Sequence, residues 1–369
     1  MENKVTVIDF GGQYAHLIAK RIRHLGVYSD IRRPDDSVGG LGEPGGIILS
    51  GGPSSVYAVD APPFNRELLD TGVPTLGLCY GMQLAAHLLG GEVRRLDRRE
   101  YGRAEIELLV DSPLFDGIES GEIVWMSHGD SVVTPPDGFE VLGRTSDCPV
   151  AAIGDESRRM YGLQFHPEVR DTPSGDRLLA NFIRICGLGK NWSMDTYIRD
   201  KMKQVRKQVG DRNVFLLVSG GVDSTVTFTL LNEALGEKRV LGLHIDTGLM
   251  RKDETAGVKR ALKSLGFHNM LVIDRTDDFL EAVKGLTDPQ EKRKAIGDEF
   301  IHVKDRELAA LDLDPDSWLL GQGTLYPDII ESGGSRHADV IKTHHNRTDM
   351  IKEMVEKGLV VEPLDQLYK

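Results

Sequence analysis

Two consecutive α/β domains, each doubly wound around a mainly parallel sheet, are predicted by three features of the sequence. Strand-length apolar runs alternate with helically spaced ones from the N-terminus. A strand gives way abruptly to a helix at Cys79 between two glycines, and a second such switch occurs at Ser219-Gly-Gly-Val-Asp-Ser224. Alternation of this kind argues a sheet covered by helices on both faces. A chain of 369 residues can hold two or three domains with cores of their own.

In order, the pattern reads as a strand over residues 5–10, a helix over 15–25, a strand over 46–50, a helix over 64–69 and a strand over 75–79. At the end of that last strand, Gly77 and Gly81 stand two before and two after Cys79. They leave room for a strained turn that lifts the thiol out of the sheet. A thiolate at the N-terminus of the following helix is a better nucleophile, its pKa lowered from about 8.5. Residues 162–168, Gly-Leu-Gln-Phe-His-Pro-Glu, read as a strand ending in His166, with Glu168 on the same face of extended chain. His166 can take the thiol proton and Glu168 can orient it; taken alone, the two also fit an ordinary surface pair. Ser50-Gly51-Gly52-Pro53 ends a strand in a diglycine whose N–H groups can face a developing oxyanion, a donor of that kind being worth about 3 kcal/mol. A plain turn fits it too.

Composition narrows the function classes. The net charge of -12 suits a polyanionic partner poorly, so nucleic acid is not expected. Cys79, Cys148 and Cys186 are too few for a disulfide framework and lack the paired spacing of a zinc site. They fit a reducing cytoplasm. The first strand starts almost at once, leaving no signal peptide, and no apolar run approaches the roughly 20 residues that span a bilayer. A soluble cytoplasmic protein away from membranes is expected.

Together, Gly-Leu-Cys79-Tyr-Gly-Met-Gln, His166-Pro-Glu168 and Ser-Gly-Gly-Pro resemble, in order, the motifs of class I glutamine amidotransferases over roughly residues 4–187. The resemblance implies a glutaminase working through a thioester. In it Cys79 is the nucleophile, His166 the general base and Glu168 its orienter. Gly52 and the Tyr80 N–H are oxyanion donors, and Gln83 is a glutamine contact. Trp125-Met-Ser-His128-Gly-Asp130 also matches, as a loop near the glutamine pocket where His128 positions rather than catalyses. Cys148 and Cys186 match no motif and are read as structural.

Glycines in residues 186–192, Cys-Gly-Leu-Gly-Lys-Asn-Trp, break the pattern, so the domains are placed at 1–190 and 191–369. A charged helix over 194–209 leads to a continuous apolar strand over 214–218, then the second glycine turn, then a helix over 225–235. In that turn Gly220 and Gly221 let backbone N–H groups approach an anion, and the Ser219 and Ser224 hydroxyls can donate to phosphate. Asp223 would repel a phosphate unless a divalent cation lay between them, so the turn reads as a site for Mg-bound polyphosphate. The Gly-Lys-Ser/Thr ending of the common P-loop is missing. Chemistry at the α-phosphate with release of pyrophosphate is therefore expected. The six residues resemble the PP-loop of ATP pyrophosphatases.

Asp246 and Arg251 follow a strand end, where ligand and turn roles both fit. A third strand is read at 271–274 and a later one from 319. Arg293 lies in a basic helix start, where it could clamp a substrate phosphate. Lys342 is the better candidate than His344 and His345 for a cation on departing pyrophosphate. Glu-Lys-Arg293-Lys-Ala-Ile-Gly, Gln-Gly-Thr-Leu-Tyr-Pro-Asp and Ile-Lys342-Thr-His-His-Asn, after an amidotransferase and Ser-Gly-Gly-Val-Asp-Ser, resemble the glutamine-hydrolysing GMP synthetase family. The resemblance implies that XMP is adenylylated by Mg-ATP and aminated with ammonia from the first domain. It carries Ser219, Gly220, Gly221, Val222, Asp223, Ser224 and Thr225 over as the ATP loop, with Asp223 toward Mg2+. Arg293 becomes an XMP contact and Lys342 the pyrophosphate contact. The chain departs from many members at Arg347-Thr-Asp349. It also stops where members continue into a dimerisation domain, so a second copy or a separate C-terminal subunit is expected as partner.

Overall fold

A computed structural model describes residues 3–59, 61–311, 313–314, 316–326, 328 and 354–367, with only the backbone described at 96–99, 304 and 308. The chain forms two compact units, Met1–Met194 and Asp195–Lys369.

The first unit contains β1 (Lys4–Ile8), α1 (Ala15–His24), β2 (Ser29–Arg32), β3 (Pro44–Leu49), β4 (Thr75–Leu78), α2 (Tyr80–Leu88), β5 (Glu92–Glu105), β6 (Glu107–Leu108), β7 (Ile123–Thr134), β8 (Glu140–Arg144), β9 (Ala152–Asp155), β10 (Met160–Leu163) and α3 (Gly175–Ile185). Its main sheet runs β2-β1-β3-β4-β10-β9-β8-β6, and β5 pairs with β7 in a separate ribbon. The five strands from β2 to β10 are parallel. Their middle members, with Val7, Ile8, Ile48, Leu49, Leu76 and Leu78 fully buried, show the unbroken apolar runs that two-sided burial demands. Helix α1 buries Ala15, Ile18, Ala19 and Ile22, one helical face.

Two expectations differ from the structure here. Residues 64–69 form only a short 3-10 turn, Arg66–Leu69, capped by Asn65. Pro63 and the positive-φ Gly72 leave too little chain for a longer helix. The second half of the sheet is antiparallel, β10 to β9 to β8 to β6. A parallel pair needs a crossover of a dozen or more residues, and the links within residues 145–159 are too short for one.

In the second unit α4 (Met194–Val209), β11 (Asn213–Leu217), α5 (Val222–Leu235), β12 (Val240–Asp246), α6 (Glu254–Ser264), β13 (Met270–Asp274), α7 (Thr276–Ala282), α8 (Pro289–Ala310), β14 (Trp318–Gly321) and β15 (Val360–Val361) are described. The sheet β13-β12-β11-β14-β15 is parallel throughout. Val214, Leu216, Phe228, Leu231 and Leu319 form the core that joins α5 to it. Asp288 caps α8 by accepting from the N–H groups of Gln290 and Glu291, with Pro289 in the first position. No helix of the described residues is long and apolar enough to cross a membrane.

Candidate active site

Cys79 stands between β4 and α2 with φ 49° and ψ -104°, a conformation that costs a non-glycine residue on the order of 1–3 kcal/mol. The flanking glycines make the bend possible by contact rather than by flexibility. A Cβ on Gly81 would lie 2.3 Å from the Leu49 carbonyl oxygen, and one on Gly77 would lie 2.6 Å from the Met82 nitrogen. The thiol is thus held at the head of α2, 7% exposed, and donates to the Ser127 carbonyl at 3.6 Å.

His166 lies against Cys79 and Glu168 against His166, although not on extended chain. Strand β10 ends at Leu163 and both residues lie on the turn beyond it. That turn is tied to β7: the His166 N–H donates to the Trp125 carbonyl at 3.0 Å. Thr172 completes the tie, its hydroxyl donating to the His166 carbonyl at 2.7 Å and accepting from the Trp125 N–H at 3.0 Å. His166 Nδ1 is 2.7 Å from Glu168 Oε1, and the ring has a second hydrogen bond to Cys79. Glu168 is fully buried. Burial works against an imidazolium here, but the hydrogen bonds and negative charges of Cys79 and Glu168 outweigh it, and His166 is held well above its ordinary 6.5. Tyr14 packs edge-on against the ring at 5.2 Å between centroids.

The diglycine closes over this pair. A Cβ on Gly51 would lie 3.2 Å from His166 Cε1 and 3.9 Å from Cys79 Cβ, and one on Gly52 would touch Phe10 and Tyr80. Tyr80 opens α2, where the first N–H groups lack intrahelical acceptors. Burial pushes its phenol up to about 12. Gln83, expected as a glutamine contact, has both amide hydrogens engaged, with the Asp130 carbonyl at 2.7 Å and Gln164 Oε1 at 3.2 Å. Gln164, missed in the sequence, donates in turn to Cys79 Sγ at 3.6 Å. Its signal was present: it stands two residues before His166. The stretch around His128, read from the sequence as a loop, is strand β7, and the His128 ring bonds to Ser131 and to the Asp130 carbonyl.

The other two cysteines are chemically quiet. Burial, aided by the Glu100 carboxylate, pushes Cys148 up to about 12, and burial alone does the same for Cys186, whose sulfur packs on Gly46. Iodoacetamide at pH 7 is therefore expected to modify Cys79 and spare Cys148 and Cys186, as read by peptide mass spectrometry. In His166→Gln the rate at Cys79 should fall about tenfold, because the ring placed to take the thiol proton is gone and the thiolate is the reacting form. Equal labelling of the three cysteines would contradict the arrangement.

In the second unit the glycine turn joins β11 to α5. Gly220 has φ 84°, and a Cβ there would meet Val258 at 2.6 Å. His244 is fully buried on β12 and pins the strand end, with Nδ1 2.6 Å from the Val218 carbonyl and Nε2 3.1 Å from Thr255 Oγ1. Helix α5 begins at Val222, so Asp223, Ser224 and Thr225 occupy its first turn, and its N-cap, Gly221, offers no side chain. Ser219 and Ser224 face each other at 3.0 Å between hydroxyl oxygens. An exposed helix N-terminus without a side-chain cap, flanked by two hydroxyls and a carboxylate, fits a polyphosphate with a divalent cation. Asp246 accepts from the Gly248 N–H at 3.0 Å, and the Arg251 N–H bonds to Glu254, so both are engaged in turns. Arg293 is exposed on α8 and donates to Gln290 at 3.1 Å. Lys342, His344 and His345 lie outside the described residues.

The glutamine amidotransferase class-I family matches residues 6–186, and the family described as NAD synthase matches residues 194–310. Relatives align along the whole chain. A GMP synthase (glutamine-hydrolyzing) of Clostridium perfringens (strain 13 / Type A) is 44% identical over 372 residues, covering 100% of this chain and 72% of its own length. One of Aquifex aeolicus (strain VF5) is 46% identical over 371 residues, covering 99% of this chain and 71% of its own. A relative in Leptospira interrogans (strain 56601) is 46% identical over 372 residues, of which the chain spans 62% of the length. These alignments run across the residue 194 junction and beyond either family match, and the chain belongs to the GMP synthase (glutamine-hydrolyzing) family.

Proposed function

We infer that the chain makes GMP from XMP, ATP and glutamine, with residues 1–190 as the glutaminase and residues 191–369 as the ATP pyrophosphatase. The observation that carries this reading is the hydrogen-bonded Cys79-His166-Glu168 series in one unit, joined in the same chain to an uncapped glycine turn. In the first unit Cys79 sulfur attacks the glutamine carboxamide carbon. The Gly52 and Tyr80 N–H groups receive the developing oxyanion. His166 gives its proton to the departing ammonia, then takes one from the water that cleaves the thioester to glutamate. Glu168 keeps the imidazole oriented, and Gln83 acts through Gln164 on the sulfur.

In the second unit the XMP C2 oxygen attacks the α-phosphate of ATP, pyrophosphate leaves, and ammonia then displaces AMP. Residues 219–225 cradle the phosphates, with Asp223 toward Mg2+, which when bound offsets the negative charge of the polyphosphate. Arg293 is assigned to the XMP phosphate and Lys342 to pyrophosphate. The test is ATP-pyrophosphate exchange with XMP, IMP and GMP compared. Exchange with XMP alone supports the reading; exchange with none of them, under any complement, removes it.

A second reading concerns partners. We propose that a second copy of the chain or a separate polypeptide completes the nucleotide site. The glutaminase then works alone while synthesis waits for the complement, and GMP formation by the purified chain at ordinary rates would remove that requirement.

A further inference from the structure

A second cluster in the first unit lies outside the site above. Strands β5 and β7 pair Glu100 directly opposite His128, and Cys148 comes from the segment between β8 and β9. One donor atom from each of the three lies within 4.8 Å of the others. His128 Nε2 is 3.5 Å from Glu100 Oε2, with side-chain exposures of 2% and 12%, and Cys148 is fully buried.

The ring of His128 is turned for ligation. Its Nδ1 lies 3.1 Å from the Asp130 carbonyl and 3.0 Å from Ser131 Oγ, and the tautomer that donates to the carbonyl, which can only accept, leaves the Nε2 lone pair facing Glu100. Nε2 is buried and has no hydrogen-bond partner. A lone pair facing a carboxylate is repulsive, and a cation between them makes it attractive. Thr145 supplies the outer support: its hydroxyl donates to Glu100 at 3.0 Å and accepts from the Cys148 N–H at 3.0 Å, orienting two of the three donors at once.

We propose that Glu100, His128 and Cys148 form a binding site for a divalent transition metal of the zinc type. The donor set is nitrogen, sulfur and oxygen, which selects Zn2+ over the oxygen-seeking Mg2+ and Ca2+. Zinc bond lengths place tetrahedral donors about 3.5 Å apart, so the His128–Glu100 separation already fits and Cys148, within 4.8 Å of both, has at most about an ångström to close. Binding forms a Zn–S bond as the Cys148 thiol proton leaves to solvent. The metal ties the β5–β7 ribbon to the antiparallel part of the main sheet, and it grips the residue next to Ser127, whose carbonyl faces Cys79.

The test uses the full chain, stripped with chelator and titrated with Co2+, then Zn2+. One equivalent of Co2+ should give a thiolate-to-cobalt charge-transfer band that Zn2+ abolishes. Cys79 with His166 is a rival donor set, so Cys79→Ser must keep the band and Cys148→Ser must lose it. Should Cys148→Ser not fold, Glu100→Gln decides: its Zn2+ affinity should fall about tenfold or more, and Zn2+ should raise the melting temperature of the unsubstituted chain but not of this variant. A band that follows Cys79, affinity unchanged in Glu100→Gln, or no metal uptake would each overturn the proposal.

Discussion

Replacing Cys79 by alanine removes ammonia release from glutamine, by on the order of 10⁵-fold, and leaves ATP-pyrophosphate exchange with XMP unchanged. The size follows from the loss of the attacking atom, for which no other side chain in the site substitutes. His166→Gln should cost nearly as much, since the proton that ammonia carries away and the activation of water both pass through that ring. Glu168→Gln is the informative member, expected to fall by about 10³ to 10⁴. Its carboxylate is one of the causes that raise His166, so the amide lowers the imidazole pKa. The imidazolium is then lost at lower pH, and the alkaline limb of the glutaminase profile moves toward neutrality in Glu168→Gln. An unmoved limb would mean that Glu168 does not set the charge of His166. The assay is glutamate release across pH with a melting curve for each variant, because an unpaired buried carboxylate or ring also destabilises the fold.

The legible parts of this site were those written in local spacing. Gly77, Cys79 and Gly81 specify the bend because backbone from β3 and α2 leaves no volume for a Cβ at either glycine. Ser219 to Ser224 is equally local: strand, glycine, helix. What the sequence concealed depends on elements distant in the chain meeting in one register. His166 and Glu168 were recognised as chemistry, but the turn that holds them is set by Trp125 and Thr172, which contribute through a backbone carbonyl and a hydroxyl. Gln83 was read as a ligand contact from the motif resemblance, and nothing in spacing shows that Gln164 and Asp130 occupy its amide. The pairing of Glu100 with His128 follows an irregularity between Arg95 and Glu100 that shifts the register of β5 against β7. A one-residue slip there would turn Glu100 to the opposite face. In the fold, parallel strands were visible as apolar runs, while the antiparallel β8 and β9 were not.

Asp223→Asn is the corresponding test of the second unit, with exchange expected to fall about 10² to 10³-fold, or about 3–4 kcal/mol. Two opposing effects place the residue. An acidic side chain in the first turn of α5 is favourable to the helix dipole by at most about 1 kcal/mol, a role asparagine nearly fills. The same charge beside a polyphosphate is unfavourable unless a divalent cation lies between, and the amide cannot hold that cation as a carboxylate does. If only the dipole mattered, the variant would lose a little stability and keep its exchange rate and Mg2+ dependence. If Asp223 holds Mg2+, exchange drops, the Mg2+ concentration needed for half-maximal rate rises, and glutamate release in the first unit is untouched. Measuring exchange against Mg2+ at fixed ATP separates the two, since a helix-dipole role cannot move the metal requirement.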